Sequence, residues 1–430
     1  MAASQEIIKK QPSGTIEQQE KDNMKQYWLL LLGVSVFGFG TLGLYKPILA
    51  PYLKSLGFGA SVIGFTIGLM GLSKSLTNIP AGYLSDKYGR KPVMIVGLVI
   101  FGICYPFYMF SKNIIVLSIA RLLNGLGNSA AAQPSMTSVA DLLKKKRAFG
   151  MGCFESLNYI SISATTLLAG WLAVNYGMTS PFYLGLPMCL IGAFIIHKFV
   201  KETKPAAASR EKPEPDEKPE SKSAPESAEY KSSWDVWKKM LVNPGFSTMC
   251  YLGFITKMVD EGILITLIPL VAASYGLGVG EIAGIIAIGY VTFSMIQPLT
   301  GYVSDRIGRR PAFILGLILL STSAIVFPYA KTYILFASIV ILMKVGNAML
   351  YPSLPAAAAD VSPVKFRSTG VSIYRTFRDA GVFGGPLIAG VTLEFLGRGN
   401  AFYFVAAMFI IGLLLTLVFV KETIQRADAH

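Results

Sequence analysis

The chain has 430 residues, of which 53% are hydrophobic and only 15% charged, with a formal net charge of +14. Soluble domains carry roughly 25% charged residues, so a water-soluble enzyme is excluded. The positive charge does not point to nucleic acid, because the basic residues form no single face and sit instead in alternate loops.

Taken in order, residues 1–26 are polar, of mixed charge and without an apolar core, and read as a disordered tail rather than a cleavable signal peptide. Six apolar runs follow, at roughly 27–49, 61–84, 93–110, 114–134, 149–171 and 181–200. Runs of this length match a hydrocarbon layer of about 30 Å at 1.5 Å per residue, and their continuity argues for helices over a β-barrel. Residues 201–245 are a linker. Its first part is rich in Pro, Glu, Lys, Ser and Ala and too poor in apolar side chains to order itself. Near 233–241, Trp234, Trp237 and Leu241 share one helical face, which predicts an interfacial helix. A second set of six runs lies at roughly 246–272, 282–300, 312–330, 333–355, 369–393 and 401–420, before a tail at 421–430.

The two sets are copies. The stretch from Gly82 to Pro92 contains Asp86, Gly89, Arg90 and Lys91, and 219 residues later Gly301, Asp305, Gly308, Arg309, Arg310 and Pro311 repeat the pattern G-x3-D-x2-G-R-[KR]-P. Gly127 and Asp141 recur as Gly346 and Asp360 at the same offset, and Lys201-Glu202-Thr203 recurs as Lys421-Glu422-Thr423. The expectation is an all-α membrane protein of twelve transmembrane helices in two six-helix bundles, 27–200 and 246–420, related as a parallel repeat. Lys and Arg number about 27 in one set of loops against four in the other. That places both termini and the linker in the cytoplasm.

The doubled turns, the twelve spans and the central linker resemble the major facilitator superfamily, and in particular its multidrug and sugar-type branches. The resemblance implies a secondary transporter in which this turn joins helices 2 and 3 of each half and helps latch the outward-open state. Asp86 would pair with Arg90 and Asp141 and face the positive N-terminus of helix 11; Asp305, Arg309 and Asp360 match in the second half. The plainer alternative makes the arginines topology anchors only. Arg121, in Arg121-Leu122-Leu123-Asn124-Gly125-Leu126-Gly127, resembles the R-x3-G-x-G signature linked to proton coupling, with snorkelling as its alternative. The Gly-Pro motif of drug antiporters is missing from Ser163–Gly170 on helix 5, and Gly384-Gly385-Pro386 falls on helix 11.

Other ionisable residues within the spans are Lys46, Lys74, Glu155, Lys257, Asp260, Glu261, Lys344, Arg375, Arg378 and Asp379. Intramembrane charges line water-filled cavities or pair with one another. Spacing allows Lys257 to meet Asp260 and Glu261, and Arg375 to meet Asp379. Lys74, Arg121, Lys344 and Arg378 then remain as unpartnered cations, which favours an organic anion as solute. Asp260, Glu261, Asp379 and Glu155 are the carboxylates able to carry a proton. Phe37, Phe39, Tyr290, Tyr374 and Phe377 could line the cavity, although such aromatics more often pack or anchor at interfaces.

Cys104, Cys153, Cys189 and Cys250 have no ligand spacing, His197 and His430 are the only histidines, and no phosphate-binding loop occurs. No metal, cofactor or enzyme activity is expected. The expected partners are a small solute, protons and the lipid bilayer of the cell membrane, and a monomer is compatible with the sequence. The function expected is proton-coupled secondary transport by alternating access. The alternatives are a multidrug efflux antiporter and, from another class, a non-transporting receptor on the same fold.

Overall fold

The computed structural model describes residues 13–143, 147–203, 238, 240–362 and 367–422. The expected tail, most of the linker and most of the interfacial helix fall outside these residues. Ten of the described helices are long and apolar enough to cross a membrane. In the first half they are α1 (Lys21–Ser55), α2 (Ala60–Tyr88), α3 (Arg90–Phe110), α4 (Ile114–Leu142), α5 (Arg147–Tyr176) and α6 (Phe182–Phe199).

In the second half α7 is a relay of three pieces, Pro244–Lys257, a π-helical Met258–Leu267, and Ile268–Ser274. Then come α8 (Val279–Ile307), α9 (Arg309–Val326) and α10 (Tyr333–Leu350), the last continued by Ser353–Val361. The stretch Arg367–Phe419 breaks at Gly397, where φ is 80°, into α11 (367–396) and α12 (398–419). Counting α7 and this division, twelve helices result, as the apolar runs predict.

The repeat reaches the backbone. Positive-φ glycines occur in corresponding turns of each half: Gly57 and Gly276, Gly89 and Gly308, Gly177 and Gly397. Gly89 and Gly308, at φ 104° and 107°, end α2 and α8 and let the next helix start one residue later. Only glycine takes that conformation without strain. A Cβ there would also press on Glu202 or Glu422, within 2.7 and 2.4 Å.

The buried apolar residues form one continuous core through both halves, which meet along two main seams, α2 against α11 and α5 against α8. The α2 seam runs on glycine. A Cβ on Gly64 would lie 2.1 Å from the Pro386 carbonyl, on Gly68 2.6 Å from the Phe383 carbonyl, and on Gly390 2.2 Å from the Ala60 carbonyl. Backbones this close exclude water and seal the end of the molecule remote from the charged turns. There the Ser61 N–H donates to Glu394 Oε2 at 2.6 Å, joining the start of α2 to the end of α11.

α1 departs from regularity where the apolar run 27–49 predicts one even helix. It is π-helical over Leu32–Gly38 and 3₁₀ over Phe39–Thr41. Gly33, Gly38 and Gly43 in and beside this stretch are closely approached by neighbouring helices; a Cβ on Gly43 would lie 2.3 Å from the Ile162 carbonyl. π segments concentrate at functional sites, and both α1 and α7 flank the cavity described next.

Candidate functional site: a charged cavity between the halves

A cavity of about 580 Å³ lies between the halves. Ile79, Met136, Met151, Ser372 and Arg375 line it toward the face of the charged turns, while the glycine seam closes the other end. Eight of the ten expected cavity residues line it: Lys74, Glu155, Lys257, Asp260, Glu261, Arg375, Arg378 and Asp379. Lys46 joins them, although its position in the sequence suggests a site near the outer surface. Arg121 and Lys344 do not line the cavity.

The pairing differs from what spacing along single helices predicts. Lys344 is fully buried and is not free: its Nζ donates to Asp260 Oδ1. Asn347 Nδ2 donates to the same oxygen at 3.2 Å, and Lys257 Nζ lies 3.5 Å from Oδ2. One carboxylate thus holds two lysines, both from its own half. Glu261 does not pair with Lys257; it accepts from Lys46 Nζ at 3.1 Å, across the halves. Lys46 Nζ also donates to the Tyr290 hydroxyl at 2.8 Å.

Arg378, expected to be unpartnered, chelates Asp379 Oδ1 through Nε at 2.9 Å and Nη2 at 2.7 Å, so Asp379 meets Arg378 rather than Arg375. Asn78 Nδ2 reaches Asp379 Oδ2 at 3.4 Å from the opposite half. Among the described residues, Lys74 and Glu155 face the cavity with no ion pair within 4 Å.

Arg121 sits inside the first half. Its Nη2 donates to the Ile67 carbonyl at 2.7 Å and its guanidinium lies 4.7 Å from the Tyr45 ring centre. It neither snorkels nor reaches the cavity, because α2 and the ring of Tyr45 cover it. Phe39 and Tyr290 face the cavity, as do Tyr45, Tyr159 and Tyr351, while Phe37, Tyr374 and Phe377 do not line it. Lys257 Nζ rests 4.8 Å from the Tyr351 ring centre, a cation–π contact that holds it in place.

At the charged turns, Arg90 pairs with Asp141, and Arg309 Nη1 lies 3.1 Å from Asp360 Oδ2. Asp86 is exposed and makes no ion pair with Arg90 here. The side chain of Asp305 and the surroundings of Gly301 lie outside the described residues. Gly82 has open space around it, so the turn does not need it for close approach.

The carboxylate that meets each turn is one the sequence showed only as a repeat. Glu202 accepts the backbone N–H of Arg90 at 3.0 Å and of Lys91 at 3.1 Å. Glu422 does the same for Arg309 at 3.0 Å and Arg310 at 3.1 Å. Each caps the positive end of α3 or α9.

The comparisons with known proteins agree with this architecture. The family model described as Major Facilitator Superfamily matches residues 29–278 and 250–429. The chain is 23% identical to an uncharacterised MFS-type transporter of Methanocaldococcus jannaschii, over 86% of this chain and 92% of that one. It is 22% identical to Multidrug resistance protein 2 of Bacillus subtilis, over 93% and 97%. In structure it is similar to the nucleoside transporter NupG, with a TM-score of 0.68 at 13% identity, covering 91% of this chain and all of the other. That likeness is one of fold.

Proposed function

The chain belongs to the major facilitator superfamily and is a multi-pass membrane transporter, and from that premise we propose that it moves a small organic anion by alternating access, coupled to protons. The cavity is the carrying observation. Its wall holds Lys46, Lys74, Lys257, Arg375 and Arg378 against Glu155, Asp260, Glu261 and Asp379, with Lys344 behind Asp260. After the pairs are satisfied, Asp260 still faces two lysines and Lys74 has no counter-ion. A surplus of positive charge in a low-dielectric wall selects anionic solutes.

Lys74, a cavity cation without an ion-pair partner among the described residues, draws the anionic group in, and the tyrosines supply surface for an aromatic or apolar body. Arg375 at the mouth attracts the solute, and the cavity carboxylates, Glu155 and Glu261 among them, are the groups able to take up a proton. The arrangement is read as the inward-open member of the transport cycle, because the Lys and Arg distribution makes the face of the charged turns the cytoplasmic one. In it the latch at Asp86 is disengaged and the glycine seam is shut. The Asp86, Arg90 and Asp141 group, with Asp305, Arg309 and Asp360 in the second half, then acts when the molecule opens the other way.

Reconstituted protein in liposomes under an imposed pH gradient tests the reading. Labelled organic anions are compared with lipophilic cations. Proton-driven movement of an anion is the expected result, and robust cation counterflow without anion movement would overturn it. Cation counterflow is what the second reading predicts, a multidrug efflux antiporter, which the likeness to Multidrug resistance protein 2 favours.

A further inference from the structure

Among the described residues, Lys46–Glu261 is the cavity ion pair that spans the two halves. Lys46 is on α1; Glu261 and Tyr290, its two partners, are on α7 and α8. The pair is mostly dry, with side-chain exposures of 5% and 17%, yet all three residues line the cavity. Asp260 is the contrast, since Lys257 and Lys344 travel with it in the same half. Rocking the halves apart at this end leaves the Asp260 cluster intact and must break Lys46 from Glu261.

Parting a shielded ion pair leaves two charges without partners, which is costly unless each finds a replacement. From this geometry we infer that the anionic group of the solute takes the place of Glu261 on Lys46 and Tyr290, while Glu261 takes up a proton from cavity water, so that anion and proton bind together. The inference rests on the anion reading above.

Charge balances in this exchange. The solute carboxylate satisfies the ammonium, and the Glu261 carboxylate gains H⁺ to become a neutral acid. A monoanion and a proton add no net charge. Each ligand breaks the same tie, so the second to bind need not break it again. That is positive linkage, and it is reciprocal. It makes the protein a symporter whose transport of a monoanion is insensitive to membrane voltage. The charged and titratable groups around Glu261 are Lys46 and Tyr45 on α1, Lys74 on α2, Tyr290 on α8, and Lys257 and Asp260 on α7 itself. Asp379 on α11 faces Lys74. None of the other cations touches Glu261 as closely as Lys46 does.

The test uses the full chain in detergent with benzoate as probe and benzamide as its neutral control. Calorimetry in buffers of different ionisation enthalpy, alongside a pH-indicator dye, counts protons taken up per anion bound. Benzoate should bind with uptake on the order of one proton, and benzamide without uptake. Glu261→Gln, which removes the carboxylate competing for Lys46, should bind benzoate more tightly and lose the proton uptake. Lys46→Gln should weaken binding about 10- to 100-fold, with Lys46→Arg restoring it. Lys74→Gln should weaken binding and retain the uptake.

Benzoate binding without proton uptake, uptake that survives Glu261→Gln, or unchanged binding in a folded Lys46→Gln variant would each overturn the inference. In those cases anion transport in liposomes still stands and the anion reading survives. If benzoate, phosphate and sulfate all fail to bind and no anion moves in liposomes, the anion reading falls and the inference falls with it.

Discussion

Lys74 and Asp260 behave oppositely at the residue scale although both are charges in the same cavity wall. Lys74 has no ion-pair partner among the described residues, so removing its charge leaves nothing stranded. Lys74→Gln is expected to fold normally and to weaken anion affinity about 10- to 100-fold, the loss of one hydrogen bond to a charged group; titration of the purified variant measures it. Asp260→Asn strands Lys257 and the fully buried Lys344. Removing one partner of a buried pair costs about 3–5 kcal/mol, so a clear fall in melting temperature is expected. Restoring neutrality with Lys344→Met in the same chain should recover part of it. The identities of the charged residues were legible in the sequence because a charge in an apolar run is conspicuous. Their partners were not. Spacing along one helix suggests Arg375 with Asp379, whereas the pairs that form for Lys46 and Lys344 join residues 215 and 84 positions apart.

At the scale of the element, the glycine seam and the two capped turns fix how helices meet. Gly64→Leu must push α2 away from α11, since even a Cβ would lie 2.1 Å from the Pro386 carbonyl. The expected outcome is a folded protein whose seam end takes up deuterium faster in hydrogen exchange, with transport lost. Glu202→Gln and Glu422→Gln each weaken a helix cap, an effect of about 0.5–2 kcal/mol, and the double variant should show roughly the sum by thermal unfolding because the two sites are far apart. The Gly-Arg-Pro turns were readable as turns, and the repeated Lys-Glu-Thr as a repeat. That one meets the other was not readable, because more than a hundred residues and a return to the same face separate them. The same limit applies to α1 and α7, whose irregular backbones answer to neighbours and not to local propensity.

For the whole molecule, duplication made the architecture legible. Twelve apolar runs of suitable length, with basic loops alternating between them, leave few folds to choose among. The paired positive-φ glycines show the copying preserved down to single turns. The distribution of Lys and Arg also makes a prediction about sidedness. Protease-cleavable tags at both ends should be cut in inside-out vesicles and protected in right-side-out cells; cleavage of one tag from each side would refute it. Specificity could not be read at this scale. It lies in charges carried by one half only, and their grouping into a cavity emerges when the halves face each other.

The clasp between Glu394 and the start of α2 has a consequence for speed. It closes the sealed end through one carboxylate at the molecular surface, where water competes for every hydrogen bond and salt screens the charge. Such a fastening is shallow, and shallow is what a shuttle requires. A second dry lock there, with no ligand to release it as solute and proton are proposed to release Lys46 from Glu261, would raise the barrier to reversal and strand the protein facing one way. A wet clasp backed by close-packed glycine adds little to that barrier, so the seam and the Lys46–Glu261 pair, and not the clasp, are expected to set how fast this end opens.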